Sequence, residues 1–126
     1  MPEQHEQDAE IKMLIQTIDD DPDRLHLDHT ASVQRLIELG LPAAMAVLDL
    51  LNATDSLTRL RAQRVLEGVV MQLHGWTPGR GYADSEGQGK TLSLLKANGD
   101  YQADAPPRKR RKAIEKWQRW LEVQMK

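Results

Sequence analysis

The chain has 126 residues, length for one domain with a single core, and its 40% apolar, 29% charged composition is that of a globular protein. Cysteine is absent and aromatics make up only 4%, which excludes a disulfide scaffold and thiolate metal sites and leaves aliphatic residues to build a helical core. The net charge of −2 is segregated: residues 1–30 hold nine acids and two bases, residues 31–99 six and seven, and residues 100–126 four and eight, so that an acidic head and a basic tail can attract each other or a partner.

The opening "MPEQHEQDAE" is polar and acidic, unlike a signal peptide, and no apolar run nears the ~20 residues that span a bilayer. A soluble, cytoplasmic protein is expected. "EQDAEIKMLIQTI" then places Ile11, Leu14, Ile15 and Ile18 at helical spacing, and Pro22 in "DDDPD" stops the helix. "HTASVQRLIELG" predicts a second helix with Val33, Leu36, Ile37 and Leu39 inward, Asp28 or Thr30 as its cap and Gly40 as its stop. Pro42 opens "PAAMAVLDLLN", apolar almost all round apart from Asp49 and therefore a buried helix.

"TDSLTRLRAQRVLEGVVMQLHG" predicts a long amphipathic helix with Ala62, Val65, Leu66, Val69 and Leu73 on one stripe and Arg59, Arg61 and Arg64 mostly outside it. The glycine-rich "GWTPGRGYADSEGQG" is a loop, "KTLSLLKA" a short helix stopped at Asn98-Gly99, and "DYQADAPP" a connector. A last helix, "RKRRKAIEKWQRWLEVQM", aligns Ile114, Trp117, Leu121 and Met125, with Trp120 beside them. No strand is predicted, and the expected fold class is all-α with antiparallel neighbours.

Two helix pairs repeat: Leu14 aligns with Val47 at a shift of 33, while Ser32 and Leu36 align with Ala62 and Leu66 at a shift of 30. The stretch "LIELGLPAAMAVLDLLNATDSLTRLRAQRVLEG" resembles a HEAT repeat of the bacterial type: a helix ending in Leu-Gly, a proline opening an apolar helix, and Asp55, Arg59, Ala62 and Leu66 in Asp-x-x-x-Arg-x-x-Ala-x-x-x-Leu. The resemblance implies a short α-solenoid in which Asp55 and Arg59 bond near the inter-helix turn. Residues 20–36 keep the apolar spacing without the Arg-and-Ala pattern. "GDYQADAPPRKRRKAIEKWQRWL" is similar to the connector and Trp-containing end helix that close some of these proteins. The expected organisation is one domain over residues 1–126: repeats at 10–74, loop, short helix and connector at 75–105, and a closing helix at 106–126. About three repeats are needed to bury a continuous core, so Trp117 and Trp120 of the closing helix are expected to complete this one.

Candidate chemistry is sparse. "GQGKT" ends like a phosphate loop, but the loop needs glycine at position 84, where Asp84 stands, as well as a preceding strand. Ser85 and Gln88 read instead as a capping box. His26 and His29, with Asp23 and Asp28, fall short of a metal set without a third ligand. Arg108, Lys109, Arg110, Arg111 and Lys112 could neutralise phosphates, or be a solvated helix start that opposes the helix dipole. No nucleophile–base pattern is present. The expectation is a non-enzymatic protein-interaction or scaffold module with no cofactor and no metal. Its predicted binding face is the outward side of the second and fourth helices, with Gln34, Arg35, Glu38, Arg61, Arg64 and Gln72 as polar handles. The partner is expected to be a protein, and self-association is possible on so short a face. The alternative is a nucleic-acid-binding helical module using the basic cluster.

Overall fold

A computed structural model describes residues 2–126. Its helices are α1 (Pro2–Gln16), α2 (Ala31–Leu39), α3 (Leu41–Ala46), α4 (Ser56–Leu73), α5 (Gly87–Ala97) and α6 (Pro107–Gln124), with a 3₁₀ helix at Val47–Asn52. The protein is mostly helical, as the periodicities predict.

Local chemistry sets the boundaries. Thr30 caps α2: its hydroxyl oxygen accepts from the Val33 N–H at 3.1 Å and donates to the Ile18 carbonyl at 2.9 Å, which ties the end of the first helical segment to the start of the second. Gly40, at φ 81°, closes α2 and hands the chain straight to Pro42 in the first turn of α3. The expected continuous helix over 42–52 is instead a six-residue α-helix followed by six residues of 3₁₀ helix. Val47 and Leu51 are buried while Asp49 is exposed. The tighter winding is compatible with the orphan carbonyl at its end, because the buried Tyr101 hydroxyl donates to Leu51 O. Burial pushes the Tyr101 phenol up to about 12.

Packing falls into two rows. α2, α4 and α5 lie side by side in one, and α1, α3 and α6 in the other, with α4 also against the 3₁₀ helix. α4 is thus covered on several sides, which corrects the single-stripe expectation: Arg61, Gln63, Gly68 and Val70 are buried along with Ala62, Val65, Leu66 and Val69, whereas Leu73 is 49% exposed. α6 packs on α3 and the 3₁₀ helix, burying Ala113, Trp117 and Leu121. Trp120 is half-buried and meets Trp117 edge-on, with centroids 5.7 Å apart.

Two further expectations are corrected. A hairpin of β1 (Trp76–Thr77) and β2 (Gly81–Tyr82) pairs Trp76 with Tyr82, in a stretch too short to carry a strand-period signal. The capping box is not formed either: α5 starts at Gly87, and Asp84 Oδ1 accepts from the Glu86 and Gly87 N–H groups at 2.9 and 3.0 Å. Among the described residues no helix is long and apolar enough to cross a membrane.

Candidate functional site

α2 and α4 approach closely at Gly68, where a Cβ would lie 2.5–2.9 Å from the side-chain carbons of Ile37. Beside this contact the helices part, and a cleft of about 400 Å³ opens between them, within the ~300–1,000 Å³ of ligand-sized pockets. Val33, Ile37, Gly68 and Met71 make its floor, and Trp76 of the hairpin stands at its edge. Of the predicted polar handles, Gln34, Arg64 and Gln72 line the cleft. Gln72 Nε2 donates to the Ile37 carbonyl and so spans the two helices.

The charges on the wall are fixed in pairs. Arg64 Nε donates to Asp28 Oδ2 at 2.6 Å and its Nη1 to Glu67 Oε1 at 2.8 Å; Glu67 also accepts from Gln63 Nε2 at 3.1 Å. The hydrogen bond from Arg64 holds the Asp28 carboxyl below its ordinary range. Arg64 is therefore a neutralised strut holding the loop before α2 against α4, with an exposed flank of 40%.

Arg35 and Glu38 sit elsewhere on α2. The Arg35 guanidinium forks onto Glu10 of α1 at 2.7 and 3.2 Å and reaches Glu38 at 3.3 Å. Arg61 is not an outward handle at all. It is 4% exposed, and its Nη1 donates to Asp19 Oδ1 at 2.6 Å while Nε and Nη2 both donate to Leu27 O at 3.0 and 2.8 Å. The sequence reading missed the cleft floor because helical spacing assigns Val33 and Ile37 only to a core. Two signals pointed to it: a glycine inside a long helix, and a tryptophan just past that helix's end.

The motif residues act locally. Asp55 Oδ1 accepts from Leu57 N–H at 2.9 Å as the cap of α4. The Arg59 guanidinium does not bond the Asp55 carboxylate, and the two residues meet only through the Arg59 N–H on the Asp55 carbonyl at 3.1 Å. The guanidinium donates to the carbonyls of Ala53, Thr54 and Ala103 at 2.7, 3.0 and 2.8 Å, joining the turn before α4 to the connector before α6. Ala62 and Leu66 are core residues.

The phosphate-loop look-alike has a structural use. Thr91 is buried and donates to Gly87 O at 2.9 Å, accepts from the Tyr82 hydroxyl at 3.3 Å, and contacts His74 Nδ1 at 3.2 Å. With its one proton on Gly87 O, the Thr91 hydroxyl is left to accept from a proton on His74 Nδ1. Lys90 is 59% exposed and lies 3.5 Å from Glu86, and the Glu86 and Gly87 N–H groups at the start of the helix are already taken by the Asp84 carboxylate. Lys90→Ala is accordingly expected to change stability by less than ~0.5 kcal/mol. A nucleotide-dependent rise in the wild-type melting temperature that this substitution abolished would restore the nucleotide reading.

His26 and His29 are exposed at the cleft mouth, and among the described residues no three His, Asp or Glu side chains gather as a metal set. In the basic run, Arg110 is half-buried and donates to Ala105 O at 2.7 Å and Asn52 Oδ1 at 3.4 Å, whereas Arg108, Lys109, Arg111 and Lys112 are exposed. Compared with known proteins, the chain matches no family model, no curated protein and no solved structure.

Proposed function

We propose that the chain is a short HEAT-like helical array, closed by the Trp-bearing α6, that binds a protein partner in the cleft between α2 and α4 and carries out no chemistry of its own. The cleft is the observation that carries this reading. It offers an apolar floor for a bulky side chain, hydrogen-bonding glutamines on its walls and charges of both signs, the composition of a protein-binding patch. A phosphate backbone favours bases alone, and the one arginine here is already neutralised by Asp28 and Glu67.

The two-row packing and the Asp55 cap favour the HEAT-like assignment, since stacked helix pairs present one row as a continuous face. The face is short, so affinity is expected to be modest. A photo-crosslinking residue at Gln34 or Gln72 is expected to trap the same protein in the native cell, whereas one at Lys96 on α5 traps none. Met71→Glu, at a half-buried floor position, should abolish the trap with the helical circular-dichroism signal intact. Trapping that survives Met71→Glu, or that is equal from Lys96, rules out the cleft as the site.

A further inference from the structure

The row opposite the cleft ends in two helices that are each covered on one side only. On α1 and the turn after it, Glu6, Ala9, Met13, Gln16 and Asp20 are all exposed and follow the i, i+3, i+7, i+10, i+14 spacing of a packing seam. On α6, Lys109, Lys112, Lys116, Arg119 and Val123 are exposed at the same spacing. The α6 stripe runs about 21 Å at helical rise, and the α1 stripe about 15 Å from Glu6 to Gln16, with Asp20 in the turn beyond. Each also exposes a large apolar side chain, Met13 at 55% and Val123 at 64%.

The stripes are opposite in charge. Glu6 and Asp20 on one, and the four bases on the other, take part in no ion pair among the described residues. The bases Lys109 and Lys112 moreover lie in the first turns of α6, which has no side-chain N-cap, so they oppose the helix dipole with no acid paired to them among the described residues. A stacked helical array needs polar capping faces at its ends to stay apart; here the ends are complementary instead of alike.

We infer that the exposed face of α6 docks on the exposed face of α1 of a second copy, extending the α1, α3, α6 row from one molecule into the next. The contact is head-to-tail, with the α6 bases against the α1 acids and with Met13 and Val123 among the apolar contacts. A single helix-on-helix contact falls below the ~1,200 Å² of standard stable interfaces, so the association is weak and reversible. It is also strengthened by low salt, because the pairing charges are exposed. A nucleic acid is the less fitting occupant: the molecule as a whole is negative, with nine acids in its first 30 residues.

Sedimentation of the full chain tests this at about 50 mM salt and again at about 500 mM, where the Debye length is only ~4 Å. Wild type is expected to associate reversibly at high protein concentration in the first condition and to dissociate in the second. Lys112→Glu with Lys116→Glu, and separately Glu6→Lys with Asp20→Lys, should each weaken self-association at least ~10-fold while melting like wild type, since all four positions are exposed. Mixed in equal amounts, the two variants should recover association in a one-to-one ratio, alternating along the row, because the intact α1 face of one meets the intact α6 face of the other and the two reversed faces also meet each other. Wild type that stays monomeric at low salt, or a mixture of folded variants that fails to associate, overturns the assignment. So does binding of a single-stranded oligonucleotide that is lost with the α6 reversal and unaccompanied by self-association.

Discussion

Trp117→Ala is expected to destabilise the protein by about 3–5 kcal/mol. The indole is 1% exposed and is the largest fully buried side chain of the core. It sits where α6 meets the 3₁₀ helix and α3, with Trp120 against it at an interplanar angle of 85°. A small void of about 30 Å³ already adjoins it, bounded also by Leu66, Leu95 and Tyr101, so the neighbourhood includes groups anchored on α4, α5 and the connector. Those anchors limit collapse into the new cavity, which is why the range usual for a buried tryptophan applies in full.

The indole Nε1 is buried with no hydrogen-bond partner among the described residues. An unpaired buried donor costs about 1–3 kcal/mol, so Trp117→Phe loses volume but also sheds that penalty and is expected to cost much less than the alanine change. Urea unfolding of the three proteins measures both differences. An alanine variant with a wild-type midpoint, or a tryptophan emission maximum typical of water-exposed indole at position 117, would show that α6 is not a fixed part of the core.

Trp117 also marks how far the fold could be read from the residues. Its burial follows from the Ile114, Trp117, Leu121 period, because a helix with one wet side must hide the other. The same reasoning locates α2 through Thr30 and Gly40, and the start of α3 through Pro42. It fails where a helix is covered from more than one side. Helical spacing assigns Arg61 to the surface because arginine is rarely fully buried; nothing in the spacing reveals that Asp19 and the Leu27 carbonyl, more than thirty residues away, fill its donors. The hairpin at Trp76 and Tyr82 was illegible for a different reason: two residues per strand carry no alternation. The cleft was half legible. Gln34, Arg64 and Gln72 are found by asking which residues of α2 and α4 point outward, but the gap between the helices is a property of their crossing at Gly68 and Ile37, which no single helix encodes.

Arg61→Ala is expected to cost about 2–3 kcal/mol, below the ~3–5 kcal/mol typical of breaking a fully buried pair. The arginine side chain is only 5% exposed, but Asp19 is 44% exposed and can recover water when its partner goes. Leu27, whose carbonyl takes two of the three hydrogen bonds, is itself 52% exposed. What water cannot replace is the geometry. One planar fork on α4 holds both ends of the segment between α1 and α2, while Thr58 of the same helix donates to the other Asp19 oxygen at 2.8 Å. Arg61→Lys keeps the charge but cannot satisfy a carboxylate and a carbonyl together from one head group, so it should recover less than half of the loss. The same segment carries His26, Asp28 and His29 of the cleft wall. Hydrogen exchange at residues 23–29 is therefore expected to rise in Arg61→Ala before the core exchanges, and partner capture should weaken although Arg61 lines no part of the cleft. A variant that unfolds within ~0.5 kcal/mol of wild type, with unchanged exchange in that segment, would mean that the loop is held by Arg64 and Thr30 alone.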